Sequence, residues 1–346
     1  FVDHAGDLDV AAQRQPAQFE VAFKEMEIDD RQVIVRPTRL SICHADQRYY
    51  QGARAEEILR QKLPMALIHE GIGKVIYDPT GTFEIGTEVV MIPNRPVEKD
   101  DIIAENYLRS SKFCASSMDG FLQEYVQAVP DRFVRLPQGI NPTVAAYTEL
   151  VSVSFHAINR FLRFSHERRD VIGVWGDGNL GYITSLLLKK MLPDSKIYIF
   201  GVTENKLSDF TFADGTYCVN EIPADMQIDH AFECVGGGAA SKAINQIIDY
   251  IHPEGTISIL GVSEDPAPIN TRMVLEKGLR IFGSSRSGRS DYEGLLQLYE
   301  EHPEVVSYLE NIMGAEVEVR DVKDITRAFE MDIHKLMGKT VMIWNE

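Results

Sequence analysis

Apolar and polar positions along this chain fall into two regimes. From Phe19 to Leu136 short apolar runs alternate with polar residues at a period of two and stop at glycine or proline, which predicts a β-rich region. Its expected strands are 19–23, 32–37 closed by Pro37, 73–77, 86–93, 120–126 and 132–137. A polar, helix-compatible segment runs to Lys62, and between Pro93 and Met118 the pattern dissolves into a long polar loop with one short helix expected at 101–108. Residues 143–164 read as a helix pair. From Val171 to Phe282 strands and helices alternate, the pattern of a parallel, doubly wound sheet. The last block, 290–346, is expected to hold two helices and a closing strand at 339–344. Residues 1–12 are polar and acidic with little periodicity, and are read as a frayed terminus outside the fold. The expected class is α/β: a dinucleotide-binding domain at 151–285, inserted into a discontinuous β-rich domain of 1–150 and 286–346.

Within the alternating half, Val171-Ile172-Gly173-Val174-Trp175 runs into Gly176-Asp177-Gly178-Asn179-Leu180-Gly181, after which Leu180, Ile183, Leu186 and Leu187 recur at helical spacing. A buried strand turning sharply into a helix through three glycines is a dinucleotide fingerprint. The first glycine permits the turn, the second lets backbone approach the pyrophosphate, and the third lets helix pack on strand. The next strand ends on Gly201, where an NAD enzyme keeps an acid for the ribose hydroxyl. With no carboxylate expected there, and with Thr203 and Lys206 close by, NADPH is the expected cofactor. Glu204 argues mildly the other way, and Lys206 also reads as a solvated surface lysine. Val235, after the fourth strand, is a further cofactor candidate.

Composition narrows the field. A chain of 346 residues with 44% apolar and 25% charged residues is that of an ordinary globular protein of about two domains. A net charge of −17 without a basic stripe argues against nucleic acid as partner. No apolar run reaches membrane-spanning length, and the cytoplasm is the expected compartment. The four cysteines, Cys43, Cys114, Cys218 and Cys234, form no C-x-x-C pair, so no disulfide framework is offered.

Cys43, His69 and Glu70 are the outstanding candidates for chemistry. Thiolate, imidazole and carboxylate are all zinc ligands. By spacing alone they read equally as a small buried thiol and a core histidine.

Cys43-His44-Ala45-Asp46, Ile68-His69-Glu70-Gly71, the glycine fingerprint and Phe232-Glu233-Cys234-Val235-Gly236 together resemble the zinc-dependent medium-chain alcohol and polyol dehydrogenases, across nearly the whole chain. The resemblance implies a GroES-like catalytic domain beside a Rossmann domain. It also implies a catalytic zinc on Cys43 and His69, with Glu149 as the polyol-type third ligand, Glu70 in or next to the ligand set, and Asp46 orienting the histidine. Two departures stand out. The loop at 93–118 holds only Cys114 of the four cysteines a structural zinc needs, so one zinc is expected. Ala45 also stands where the alcohol dehydrogenases keep a proton-relaying Ser or Thr, leaving water with Glu149, His44 or a solvent chain to carry the proton.

Within that family, Cys43 to Tyr50, Lys62-Leu63-Pro64-Met65, Trp175 to Tyr182, Asp229 to Cys234, and Leu275 to Leu279 with Gly283 to Gly288 resemble the bacterial ribulose-5-phosphate reductases. Those enzymes use NADPH to make ribitol 5-phosphate for CDP-ribitol, teichoic acids and ribitol capsules. The resemblance implies ribulose 5-phosphate as substrate, Arg286 and Tyr50 as substrate contacts, a homodimer, and action beside a cytidylyltransferase. Arg286 also reads as a surface ion pair. Two rivals remain: an NAD-linked polyol dehydrogenase, and a non-catalytic protein retaining the fold.

Overall fold

The computed structural model describes residues 8–15, 17–335 and 337–344. It divides into two compact units: the described residues of Phe1–Glu149 with Ser287–Val306 and Ile312–Glu346, and Leu150–Arg286 with Ser307–Asn311. No helix among the described residues is long and apolar enough to cross a membrane.

The first unit is built on a seven-stranded sheet. Its order is Phe133–Arg135, Glu88–Met91, Glu70–Tyr77, Val33–Ser41, Lys339–Trp344 and Met313–Val319, with Val126–Ala128 also pairing to Val33–Ser41. The register explains why distant parts of the sequence meet. Ser41 pairs with Glu70 on one side and with Val341 on the other, so Cys43, His69, Glu70 and Lys339 all emerge at one end of three adjacent strands. Val33, Val35, Leu40, Val75, Val89 and Met342 send their side chains into the core between them.

Several local expectations change. Pro37 does not close its strand: Val33–Ser41 runs on through it, and the missing N–H is absorbed by a register shift between Pro37 and Arg39. Residues 101–108 form bends and turns instead of a helix, framed by the short hairpin Asn94–Arg95 with Lys112–Phe113. Residues 120–125 are irregular, with Gly120, Phe121 and Leu122 hydrogen-bonded to the backbone of Ala66, Ile68 and Leu67. Residues 8–12 belong to the strand Leu8–Gln15, which pairs with Gln18–Lys24, so that part of the N-terminal segment joins the fold; residues 1–7 lie outside the described residues. The C-terminal block carries a third helix and an unanticipated strand, Met313–Val319, whose exposed alternate positions are Gly314, Glu316 and Glu318.

The second unit is a six-stranded, wholly parallel sheet. Its order is Gly215–Cys218, Lys196–Gly201, Val171–Trp175, Ile228–Glu233, Ile251–Ile259 and Arg280–Gly283. Numbered by sequence this is 3-2-1-4-5-6, the Rossmann order, whose reversal point between the first and fourth strands opens a crevice at their carboxyl ends.

His230 is wholly buried in the fourth strand. It accepts the Thr256 N–H on Nδ1 (3.1 Å) and so donates through Nε2 to the Arg168 carbonyl (2.9 Å). Burial first, then His166, pushes its pKa from 6.5 down to about 4. Between these values the unfolded chain binds a proton that the folded chain refuses, so this contribution to stability grows with pH across the window and is complete above it. The thermal midpoint should therefore climb from about pH 4 to 6.5, and climb less steeply in His230→Asn. Equal slopes in the two proteins would contradict this account.

Candidate active site

One carboxylate organises the metal-ligand candidates. Cys43 caps the helix His44–Tyr50, and Asp46, in that helix's first turn, folds back to accept the Cys43 N–H on Oδ2 (3.1 Å). Its other oxygen accepts the Ile68 N–H (3.0 Å) and lies 3.4 Å from His69 Nδ1. Asp46 is fully buried. It fixes the imidazole by one nitrogen and leaves Nε2 for a ligand. Ile68 takes a left-handed φ of +69° to present His69, a conformation that costs a β-branched residue about 1–3 kcal/mol. The Asp46 bond and the Phe121 N–H donating to the Ile68 carbonyl (2.6 Å) hold it there.

Ligand atoms of Cys43, His69 and Glu70 lie within 4.8 Å of one another. Burial raises the Cys43 thiol, an effect the neighbouring His69 partly offsets, and Asp46 and Cys43 raise His69 against the opposing effect of its own burial. Glu149, in the first turn of the helix Thr148–Phe164, is 5% exposed. Burial, opposed by His69 and reinforced by Glu70, lifts it to about 7. Soft sulfur, imidazole nitrogen and carboxylate oxygen converging in one pocket fit a zinc ion.

Sequence reading missed Lys339. Its ammonium is buried, donates to Glu70 Oε1 (2.9 Å) and to the Ile42 carbonyl (2.8 Å), and stands 2.9 Å from Glu70 Oε2. Glu70 is thus committed to a cation already in the protein. The partners are 269 residues apart, and no local pattern announces the pair.

In the second unit, the cavity at the strand crossover has a volume of about 260 Å³, and Gly176, Gly178, Gly201 and Val235 are in its wall. Asn179, Leu180 and Gly181 open the helix Asn179–Met191. Gly176 has φ +128°, and a Cβ on Gly181 would lie 1.9 Å from the Gly176 carbonyl, whereas Gly178 faces open space. Thr203 and Lys206 fall in the next turn, outside the wall, and Lys242 lines it instead. The premise that no carboxylate stands at the end of the second strand is corrected: Asp177 reaches across from the glycine loop, and its Oδ2 accepts the N–H groups of Val202 and Thr203, both at 2.8 Å. Gly201 makes room for it, since a Cβ there would meet the Asp177 Cβ at 2.7 Å.

Tyr50 is corrected as well. Its ring is 1% exposed, packed with Phe19 and Phe329, and its hydroxyl donates to Glu330 (2.6 Å), which makes it a core residue. Arg286 is half-buried with a left-handed φ of +58°.

Residues 29–138 match the alcohol dehydrogenase GroES-like domain, and residues 208–301 match the zinc-binding dehydrogenase domain. The chain is 57% identical over 327 residues to a ribulose-5-phosphate reductase of Bacillus spizizenii, covering 94% of this chain and 96% of that one. It belongs to the zinc-binding dehydrogenase family. Ribulose-5-phosphate reductase 1 of Staphylococcus aureus is 54% identical, covering 95% of this chain and 96% of the relative. The crystal structure of S. aureus TarJ in complex with NADPH superposes with a TM-score of 0.88 at 48% identity, covering 99% of this chain and all of the other. This family member is an oxidoreductase, an α/β protein with a Rossmann sheet and a separate GroES-like unit.

Two substitutions test the geometry. Lys339→Met leaves Glu70 buried without its cation and should cost about 3–5 kcal/mol in denaturant unfolding, much of it recovered by adding Glu70→Gln; no recovery would contradict the pairing. Gly181→Ala should abolish saturable NADPH binding, because no side-chain movement relieves a clash with backbone.

Proposed function

We propose that the protein reduces D-ribulose 5-phosphate to D-ribitol 5-phosphate with NADPH. The observation that carries this reading is the convergence of the ligand atoms of Cys43, His69 and Glu70 in a chain more than half identical to two reductases of that name. Cys43, His69 and Glu149 hold the zinc, with Glu70 behind them on Lys339. When bound, zinc supplies Lewis-acid polarisation of the C2 carbonyl, and NADPH supplies the hydride.

The chain's own residues do the rest. Asp46 keeps His69 in the tautomer and orientation a ligand needs. Lys339 compensates Glu70, so the pocket carries less excess negative charge when the carbonyl oxygen gains charge. Gly176, Gly178 and Gly181 let the dinucleotide lie against backbone N–H groups at a helix N-terminus. A hydride adds to C2 and a proton to its oxygen, giving the alcohol and NADP⁺; water with Glu149, His44 or a solvent chain delivers that proton, as Ala45 offers none. The cation of the adenosine ribose phosphate comes from Lys206 or Lys242, and a single zinc suffices because Cys114 has no cysteine partners in its loop. The enzyme works as a cytoplasmic homodimer whose product is consumed by a cytidylyltransferase.

Purified protein should oxidise NADPH in the presence of ribulose 5-phosphate, faster than NADH and faster than with free ribulose, xylulose or fructose. Activity should vanish with chelation or with Cys43→Ser while NADPH binding persists. An equal preference for NADH with unphosphorylated ketoses would favour the polyol dehydrogenase reading, and activity in metal-free protein would refute the zinc role.

A further inference from the structure

A second cluster, made of cations, is linked through short stretches of chain to the metal group. Tyr49 is 2% exposed, and the Arg54 guanidinium lies over its ring at 4.7 Å from the centroid. Lys62 donates from Nζ to the Tyr49 hydroxyl (3.2 Å) and to Ser116 Oγ (3.4 Å). Among the described residues neither Arg54 nor Lys62 has a carboxylate within ion-pair distance, and the Arg54 Nε is buried without an acceptor. Arg48 stands close by: burial, then the charge of Arg54, pushes its guanidinium below the usual range. The neighbouring acid Glu56 is taken by Arg60.

Such an arrangement is costly on its own. Half-buried cations that repel one another, with an unmade hydrogen bond among them, are stabilised by an anion that fits between them. The chain as a whole carries a charge of −17, so these cations stand against a repulsive background that an anionic ligand would otherwise feel. Three of its members lie on segments that lead to the metal group. Tyr49 is on the helix that Cys43 caps. Lys62 ends the helix Glu56–Lys62, and the chain runs from it through Met65–Ala66 to His69. Ser116 is three residues beyond Phe113, whose ring packs on the His69 imidazole with centroids 5.5 Å apart.

We propose that Arg54 and Lys62, with Tyr49 and Ser116 as hydroxyl partners, form the subsite for the phosphate monoester of the sugar substrate. This rests on the reading of the protein as a sugar-phosphate reductase, and it moves the phosphate from Arg286, where the sequence put it, into the unit that carries Cys43 and His69. The dianion accepts from the Arg54 Nε–H and from the Lys62 ammonium, and the tyrosine ring holds the guanidinium in place by stacking. The subsite selects phosphorylated ketoses over free ones, because a neutral sugar leaves the two cations uncompensated.

The test uses the full-length enzyme with zinc and compares wild type with Arg54→Met, Lys62→Met and the double variant. KM for ribulose 5-phosphate should rise about 100-fold in the double variant, while kcat/KM for free ribulose changes by less than about threefold. Inorganic phosphate should compete with ribulose 5-phosphate in wild type and fail to do so in the double variant. Arg54→Lys and Lys62→Arg should each keep most of the affinity, which separates loss of charge from loss of fold. An unchanged KM in folded variants overturns the subsite, as does an equal weakening of NADPH, which would assign the cluster to the cofactor's phosphates, or a loss reproduced by Arg286→Ala alone. If wild type leaves ribulose 5-phosphate untouched, the functional reading fails. Calorimetric binding of inorganic phosphate to wild type but not to the double variant then supports the anion site, and equal or absent binding rejects it.

Discussion

A single carboxylate, Asp46, ties together the two loops on which the chemistry depends. It accepts the N–H of Cys43 from one loop and of Ile68 from the other, and it faces the His69 ring. The strand register brings the loops to the same end of the sheet, but register alone does not aim side chains. Asp46 does, and part of its hydrogen-bond energy offsets the left-handed Ile68. Around it the protein gathers Glu70 and Glu149, both nearly free of solvent. Three buried carboxylates in one pocket repel, and the Lys339 ammonium stands 2.9 Å from Glu70 among them. Burial first, with Glu70 reinforcing it, raises Glu149, and a divalent cation is the group whose charge would lower it again.

The nucleotide unit follows a different logic, in which contacts are excluded more than made. Gly181 is glycine because the Gly176 carbonyl occupies the space of its side chain, and Gly201 because Asp177 does. Asp177 shows how an acid is accommodated there. Its inner oxygen is consumed by two backbone N–H groups, so it braces the loop at Val202 and Thr203.

Local chemistry was legible in the sequence where it sets a backbone conformation. The glycine fingerprint, the alternation of strands and helices after Val171, and the helix pair ending at Phe164 depend on residues close together in the chain. What could not be read depends on register and distance. Pro37 looked like a stop because an isolated proline ends strands, and only the neighbouring strands show the shift that accommodates it. Met313–Val319 was hidden because a glycine and two glutamates occupy its outward positions. Lys339 gave no signal, since a lone lysine near a chain end reads as solvated until its partner is known. Among the substrate candidates, Tyr49 and Tyr50 are adjacent and chemically alike; the turn of one helix sends Tyr50 to the core beside Phe329 and Tyr49 to the cations.

X-ray absorption at the zinc edge of the purified protein tests the central claim most directly. One zinc per chain is expected, with a single sulfur neighbour, one imidazole and oxygen completing the shell. Absence of zinc from protein purified without chelators, or a shell dominated by two or more sulfurs, would contradict it.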